Sequence, residues 1–449
     1  MALAMLVMGF LQILSETGQR LALIRLPAVE RAHYDTAWTI GVLFGVVIAV
    51  AMLALAPLAA RYFDAPRLEA LIFVLAARPL IAGFENIGTV DYRRDLRFDL
   101  ELKLLVLPKL MSFGVTVALA YWWRDYWALA AGLVFGQLSS LVVGYAIHPY
   151  RPRFGLSRIG ELWDMSYWSL IGAIGRYLGE KSDELVVGRR FETQELGVYS
   201  VVGSTAMMPV DELVAPPARA LYSGFSRLHG DPEKLRQTYL DSIAVLYTVA
   251  IASSIGVAAL AHDIVLVLLG AQWMPGIPLV PFLAFAAATG GIATTDNAIL
   301  IAAGRPRIVA IRTWAFAVLL VGSMFAVPKA LGLEGIAMAR LGSAAVLTVV
   351  TQWIVVRHLQ ICVARLLERI WRPAVAGIAM HMTLAQAIGM LGTNPILRLF
   401  AGVALGGAVF VAIQMALWAS SGRPRGIESF AIEVAERGLS KFSKRTRRR

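Results

Sequence analysis

The chain has a single cysteine, Cys362. No intrachain disulfide can form, and the paired-thiol zinc patterns are excluded with it. Histidine is scarce as well. The six present are scattered with no pair at metal-ligand spacing, and His381 reads as a packed helix residue. Charge is sparse, at 16% of residues against 58% hydrophobic, with a mean hydropathy of +0.66. That balance excludes an ordinary soluble domain. There is no Gly-rich phosphate loop and no Ser, His and Asp set suited to nucleophilic catalysis. The gaps between apolar runs are too short for the large loop that would carry the acid or histidine of a membrane glycosyltransferase or ligase. The expectation is no enzyme, no metal and no cofactor. The net charge of +12 is spread over loop after loop and a tail, not a stripe on one fold, so nucleic acid is excluded as a partner.

What fills the chain is apolar sequence in about thirteen runs, each about 20 residues long, the length that crosses a bilayer as a helix. They fall near 1–17, 37–60, 68–90, 99–122, 126–147, 162–187, 196–220, 238–262, 278–302, 308–329, 334–356, 372–391 and 396–419. Lys and Arg gather in alternate gaps, at Arg20–Arg31, Arg93–Lys103, Arg151–Arg158, Arg219–Arg236, Arg305–Arg307 and Arg357–Arg372. The opposite gaps hold few, an asymmetry of roughly fourfold that marks the first set as cytoplasmic. The reading is an all-α integral membrane protein of the bacterial inner membrane, C-terminus in the cytoplasm and Met1 outside. Met1–Leu14 lacks the basic flank and small-residue site of a signal peptide and reads as a span.

The tail, 421–449, differs in kind. Ile427, Phe430, Ala431 and Val434 recur at helical spacing and Lys441–Arg449 is almost wholly basic. Two readings fit: an amphipathic surface helix held by anionic lipid, and a solvated basic tail.

The pattern of spans repeats itself after roughly 205–211 residues, as duplicated transporter bundles do. Leu55-Ala56 corresponds to Leu260-Ala261, and Arg93-Arg94 to Arg305-Pro306-Arg307. The expected organisation is a five-helix lobe at 1–147, a cytoplasmic linker at 148–158 and a six-helix lobe at 159–356. An appended helix pair at 357–420 and the basic tail follow.

Several short motifs occur in a telling order. They are Leu55-Ala56-Pro57-Leu58, Phe63-Asp64-Ala65-Pro66, Arg93-Arg94-Asp95-Leu96-Arg97-Phe98 and Tyr150-Arg151-Pro152-Arg153. In the second half come Asp183 with Gly188-Arg189, Leu196-Gly197-Val198-Tyr199-Ser200, Asp231-Pro232-Glu233, Trp273-Met274-Pro275 and Gly304-Arg305-Pro306. Together they resemble the polysaccharide (O-antigen and exopolysaccharide) flippases of the multidrug/oligosaccharidyl-lipid/polysaccharide exporter superfamily. The resemblance covers Met1 to about residue 420. That family usually has fourteen helices, and Met1 falls in what resembles its second, so the first helix is expected to be missing. The resemblance implies flipping of a polyprenyl-pyrophosphate-linked oligosaccharide by alternating access. A polysaccharide polymerase and glycosyltransferases are the implied partners. A cation-coupled multidrug antiporter of the same superfamily is the alternative.

Charges inside spans cost about 2.5–3.5 kcal/mol each on insertion scales and usually face a bundle interior or wet cavity. The run 162–187 holds the densest set. Arg176, Glu180, Asp183 and Val187 share one helical face with Ser169 and Gly172, while Lys181 and Glu184 are spaced to pair. Arg176 and Lys181 are candidates for the pyrophosphate, with Glu180 and Asp183 for a coupling cation; an internal ion-pair network is the competing reading. By the resemblance, Asp183 matches the family's acidic position. Arg20 and Arg25 read as cavity-mouth residues or as positive-inside anchors. Arg78 and Arg340 are deeper cavity candidates, and Lys109 is expected to snorkel. Asp211, in a span interrupted by Pro209, Pro216 and Pro217, and Asp296 are further ion-coupling candidates. Gly402 and Gly406 form a small-residue packing pair.

Overall fold

In hydrocarbon every backbone N–H and C=O must be satisfied within its own segment, so long apolar runs become helices. The computed structural model, which describes residues 23, 29–95, 97–226, 232–302, 305–390 and 394–422, is helical with no strand among them. Eight of the described helices are long and apolar enough to cross a membrane. Contacts group the chain into two compact units, Met1–Thr193 and Gln194–Arg449. The first span, Arg20, Arg25 and the tail beyond Gly422 lie outside the described residues.

In the first unit, α1 (Arg31–Tyr62) packs on α2 (Arg67–Leu75) and α3 (Ala77–Gly83), while α5 (Phe98–Trp123) packs on α6 (Trp127–Ile147). The short α4 (Asp91–Arg94) lies between, and α7 (Ile159–Arg190) closes the unit. The expected continuous span at 68–90 is a correction: it breaks after Leu75 and again after Gly83, ending in a 3-10 turn at Ile87–Val90. Glycine lets α1 and α3 touch through their backbones. A Cβ on Gly45 would stand 2.6 Å from the Pro79 carbonyl oxygen, and one on Gly83 2.8 Å from that of Gly41. Ser112 binds the Gly132 carbonyl at 2.8 Å and joins α5 to α6 by a polar contact across helices.

The segment 148–158 has no regular structure up to its final turn and is strapped to the first unit by side chains. Asp35 accepts the Tyr150 hydroxyl at 2.6 Å and the Arg153 backbone N–H at 3.0 Å. The Asn86 amide donates to the carbonyls of His148 at 3.3 Å and Tyr150 at 3.1 Å. Thr39 accepts the Gly155 N–H at 3.0 Å. His148 Nδ1 accepts the Tyr150 N–H at 3.2 Å, and its Nε2 faces Asp91 at 3.5 Å. Tyr34 donates to the same carboxylate. Burial holds the imidazole below its ordinary range; Asp91 opposes that shift and Arg151 adds to it.

A pH dependence follows. A histidine whose folded pKa is lowered adds stability when neutral and loses it as pH falls through that value. Protonation also places a proton on the nitrogen that accepts from Tyr150. The melting temperature should hold from pH ~8 to ~6.5 and then decline, and His148→Gln should flatten that part of the curve. An unchanged profile in the variant would remove His148 from the explanation.

The second unit contains α8 (Thr193–Ser226), α9 (Pro232–Ala259), α10 (Ala261–Leu268), α11 (Leu279–Ala302), α12 (Pro306–Ala326), α13 (Gly332–His358), α14 (Val363–Ala387) and α15 (Pro395–Ser420). Helices α9, α11 and α13 form its centre, with α14 and α15 added against α9. Two expectations are corrected. Helix α8 runs unbroken through Pro209, Pro216 and Pro217, since a membrane helix can tolerate the lost hydrogen bonds. The gap at 263–277 is not a loop but the short helix α10 and a 3-10 segment. Gly402 and Gly406 serve packing as expected: added Cβ atoms would meet Leu260 at 2.6 Å and Leu384 at 3.0 Å. Ala376, Met380, Leu384 and Phe410 make the core that docks α15.

Candidate functional site

The charged face of α7 is divided by depth. Arg176 and Glu180 are exposed, whereas Asp183 and Val187, one and two turns further along, are 2% and 0% exposed. Along this face the described side chains therefore pass from accessible to buried toward the C-terminal end of α7. Asp183 accepts the Glu184 backbone N–H at 2.9 Å. Lys181 and Glu184 form the ion pair that their spacing suggested. Arg189 lies 5.2 Å over the Tyr62 ring and ties this end of α7 to α1. Ser169 and Gly172 lie in the part of α7 whose side chains are not described.

Elsewhere in the first unit, Arg78 on α3 is half-buried and within electrostatic reach of Glu85. Glu85 in turn accepts from Gln137 of α6 at 2.6 Å. Glu85, Asn86, Thr89, Glu101 and Ser140 line a cavity of about 140 Å³, room for a few waters. Lys109 is exposed on α5, beside Pro108.

The second unit contains a buried polar seam that sequence reasoning found only in part. Asp296 on α11 is fully buried, and the fully buried Tyr239 of α9 donates to its Oδ1 at 2.8 Å. Among the described residues its Oδ2 is buried with no hydrogen-bond partner, as are the Thr295 hydroxyl beside it and the Gln352 Nε2. Tyr247 donates to Gln352 Oε1 at 2.9 Å. Arg312 of α12 donates to Asn297 at 3.4 Å, while its Nε is buried without a partner among the described residues. Arg340 is 9% exposed on α13, near the Ser323–Ser343 pair joined at 3.0 Å. Asp211 is exposed on α8. Tyr239, Tyr247, Arg312 and Gln352 were missed; the one signal available was the placement of Arg312 inside an apolar span.

The arrangement offers ionisable groups inside membrane bundles, the usual mark of a substrate or ion path. A family model described as polysaccharide biosynthesis protein matches residues 1–278, more than half of the chain. The chain belongs to this family. The resemblance read from the ordered motifs is therefore borne out. Among individual members, the chain is 21% identical to the teichuronic acid biosynthesis protein TuaB of Bacillus subtilis, over 66% of this chain and 62% of that one. It is 22% identical to the lipopolysaccharide biosynthesis protein WzxC of Escherichia coli, over 68% and 63%. The succinoglycan biosynthesis transport protein ExoT of Rhizobium meliloti is 24% identical over 63% and 58%. The chain thus spans about three-fifths of the length of these relatives.

Solved structures agree on the fold. The lipid II flippase MurJ in an inward closed conformation superposes with a TM-score of 0.75 at 10% identity, covering 94% of this chain and 93% of that one. An inward-facing multidrug resistance MATE transporter gives 0.61 at 15% identity, covering 80% and 88%. This member of the polysaccharide biosynthesis family is an all-α, multi-pass membrane protein.

Proposed function

We propose that this protein moves a polyprenyl-diphosphate-linked oligosaccharide across the bacterial inner membrane by alternating access, with its C-terminus in the cytoplasm. The observation that carries the reading is the family match combined with a charge set on α7 that no lipid-facing helix would tolerate. In this reading Arg176 and Lys181 attract the diphosphate, joined by Arg78, Arg340 and, outside the described residues, Arg20 and Arg25. The buried carboxylates Asp183 and Asp296, with Glu180 and Asp211, serve ion coupling. The substrate arrives from membrane glycosyltransferases and leaves to a polymerase, since a lipid-linked repeat must be made on one side and joined on the other. A second reading, cation-coupled drug export, is favoured by the fold shared with the MATE transporter and by the unpaired Oδ2 of Asp296.

The test is the Arg176→Ala, Lys181→Ala double variant, scored for surface polymer at matched expression. Loss of two charge-assisted contacts should reduce export about 10- to 100-fold, with lipid-linked sugar accumulating on the inner leaflet. Normal export in the variant would sink the headgroup role. Drug efflux from vesicles driven by an imposed ion gradient would favour the second reading.

A further inference from the structure

Helix α5 is the least covered of the eight described helices that can cross a membrane. Only 6% of its apolar stretch, Asp99–Trp123, is buried, against 17% or more in each of the others. Ser112, bonded to the Gly132 carbonyl, turns one side of the helix toward α6. On the open side Leu102, Val106, Phe113 and Val117 are all exposed. Lys109 lies among these four, one or two turns from each on the same face, and is exposed with them. Among the described residues no hydrogen bond or ion pair reaches its ammonium.

Depth decides what can neutralise that charge. Tyr121, Trp122 and Trp123, all exposed at the end of α5, mark one boundary of the hydrocarbon. Lys109 precedes Tyr121 by twelve residues, about 18 Å along the axis in a layer about 30 Å thick. Its Cα is therefore about 12 Å from the far boundary, and the extended stem carries the ammonium about 6 Å nearer. Snorkelling alone leaves the charge about 6 Å short of the headgroups, beyond the ~4 Å of an ion pair with a lipid phosphate. The neighbours on the open side are apolar, which does not suit the wall of a wet cavity. A second copy docked by a two-fold axis along the membrane normal would set both lysines at one depth, like charge against like. A foreign helix with a carboxylate at that depth meets both the apolar face and the charge.

We propose that the open face of α5 is a docking surface for a transmembrane helix of a partner protein, one that carries an Asp or Glu facing Lys109. Leu102, Val106, Phe113 and Val117 pack against the apolar side chains of that helix, and the ion pair fixes its depth and rotation. This surface concerns assembly, not cargo, and it stands whichever molecule the protein moves.

The test reconstitutes the full chain in phosphatidylcholine vesicles with a donor dye on Cys362, the single cysteine, which is exposed. The probe is an acceptor-labelled transmembrane peptide of Leu and Ala with one Glu at the depth of Lys109, compared with the same peptide carrying Gln. Energy transfer to the Glu peptide should appear at about 5- to 10-fold lower peptide density than to the Gln peptide. Lys109→Leu removes a charge from an apolar face, so it should insert and fold, and it should bind the two peptides alike. Lys109→Arg should keep the preference. Equal binding of the two peptides by wild type, or a preference that survives Lys109→Leu, overturns the site. Phosphatidylglycerol in the vesicles that erases the preference shows a lipid phosphate reaching the ammonium and overturns the helix as occupant. Rapid reaction of Lys109→Cys, in a Cys362→Ser chain, with a membrane-impermeant maleimide shows a wet surface and overturns the apolar docking face.

Discussion

Gly45→Val is expected to abolish the folded first unit. A Cβ at this position would lie 2.6 Å from the Pro79 carbonyl oxygen and 3.1 Å from the Gly83 Cα, both backbone atoms. Overpacking costs about 1–3 kcal/mol where side chains can yield. Here α1 and α3 would have to separate, and the cost should lie at or above the top of that range. Close approach through small residues supplies much of the packing between membrane helices, because lipid itself removes the hydrophobic drive. The measurement is the yield of monodisperse protein in detergent and its melting temperature. Gly114→Val, on α5 with nothing within 4 Å of the added Cβ, is the control and should behave as wild type. Equal yields from the two variants would show that the α1–α3 contact is not needed.

The second large effect is expected where α15 is tied to the second unit. Asp263 of α10, 1% exposed, receives Arg398 Nε at 2.9 Å from both carboxylate oxygens, with a further bond from Nη2. His262 adjoins the pair, its Nδ1 3.3 Å from Arg398 Nη2. Removing one member of a buried pair hurts chiefly through the charge left behind. Arg398→Ala strands a carboxylate that cannot reach water. Asp263→Ala strands a guanidinium that is 22% exposed and can snorkel. Both variants should melt below wild type, Arg398→Ala by the larger margin, and the double variant Asp263→Leu, Arg398→Leu should recover much of the loss. The reverse order of the single variants would mean that the pair does not anchor α15.

The two sites differ in how they could be read. The Lys181–Glu184 pair and the Gly402–Gly406 contact depend on spacing along one helix, and both were legible. Asp296 was legible as a charge out of place, but its partner Tyr239 is 57 residues away on another helix. Asn86 fell inside the expected span at 68–90, and its role shows only where the structure brings the strap at 148–158 against it. Arg78 and Asp183 looked alike in sequence, as charges within spans. One is half-buried and the other nearly wholly buried.

By itself the sequence determined the class, the number and approximate ends of most spans, and the family. Those depend on the length and composition of single segments, and hydrocarbon tests each segment separately. Only the tertiary structure decided where helices break, which charges are sheltered and which polar atoms remain without partners. Burial and pairing are properties of neighbours, and those neighbours come from helices that the order of the chain does not place side by side.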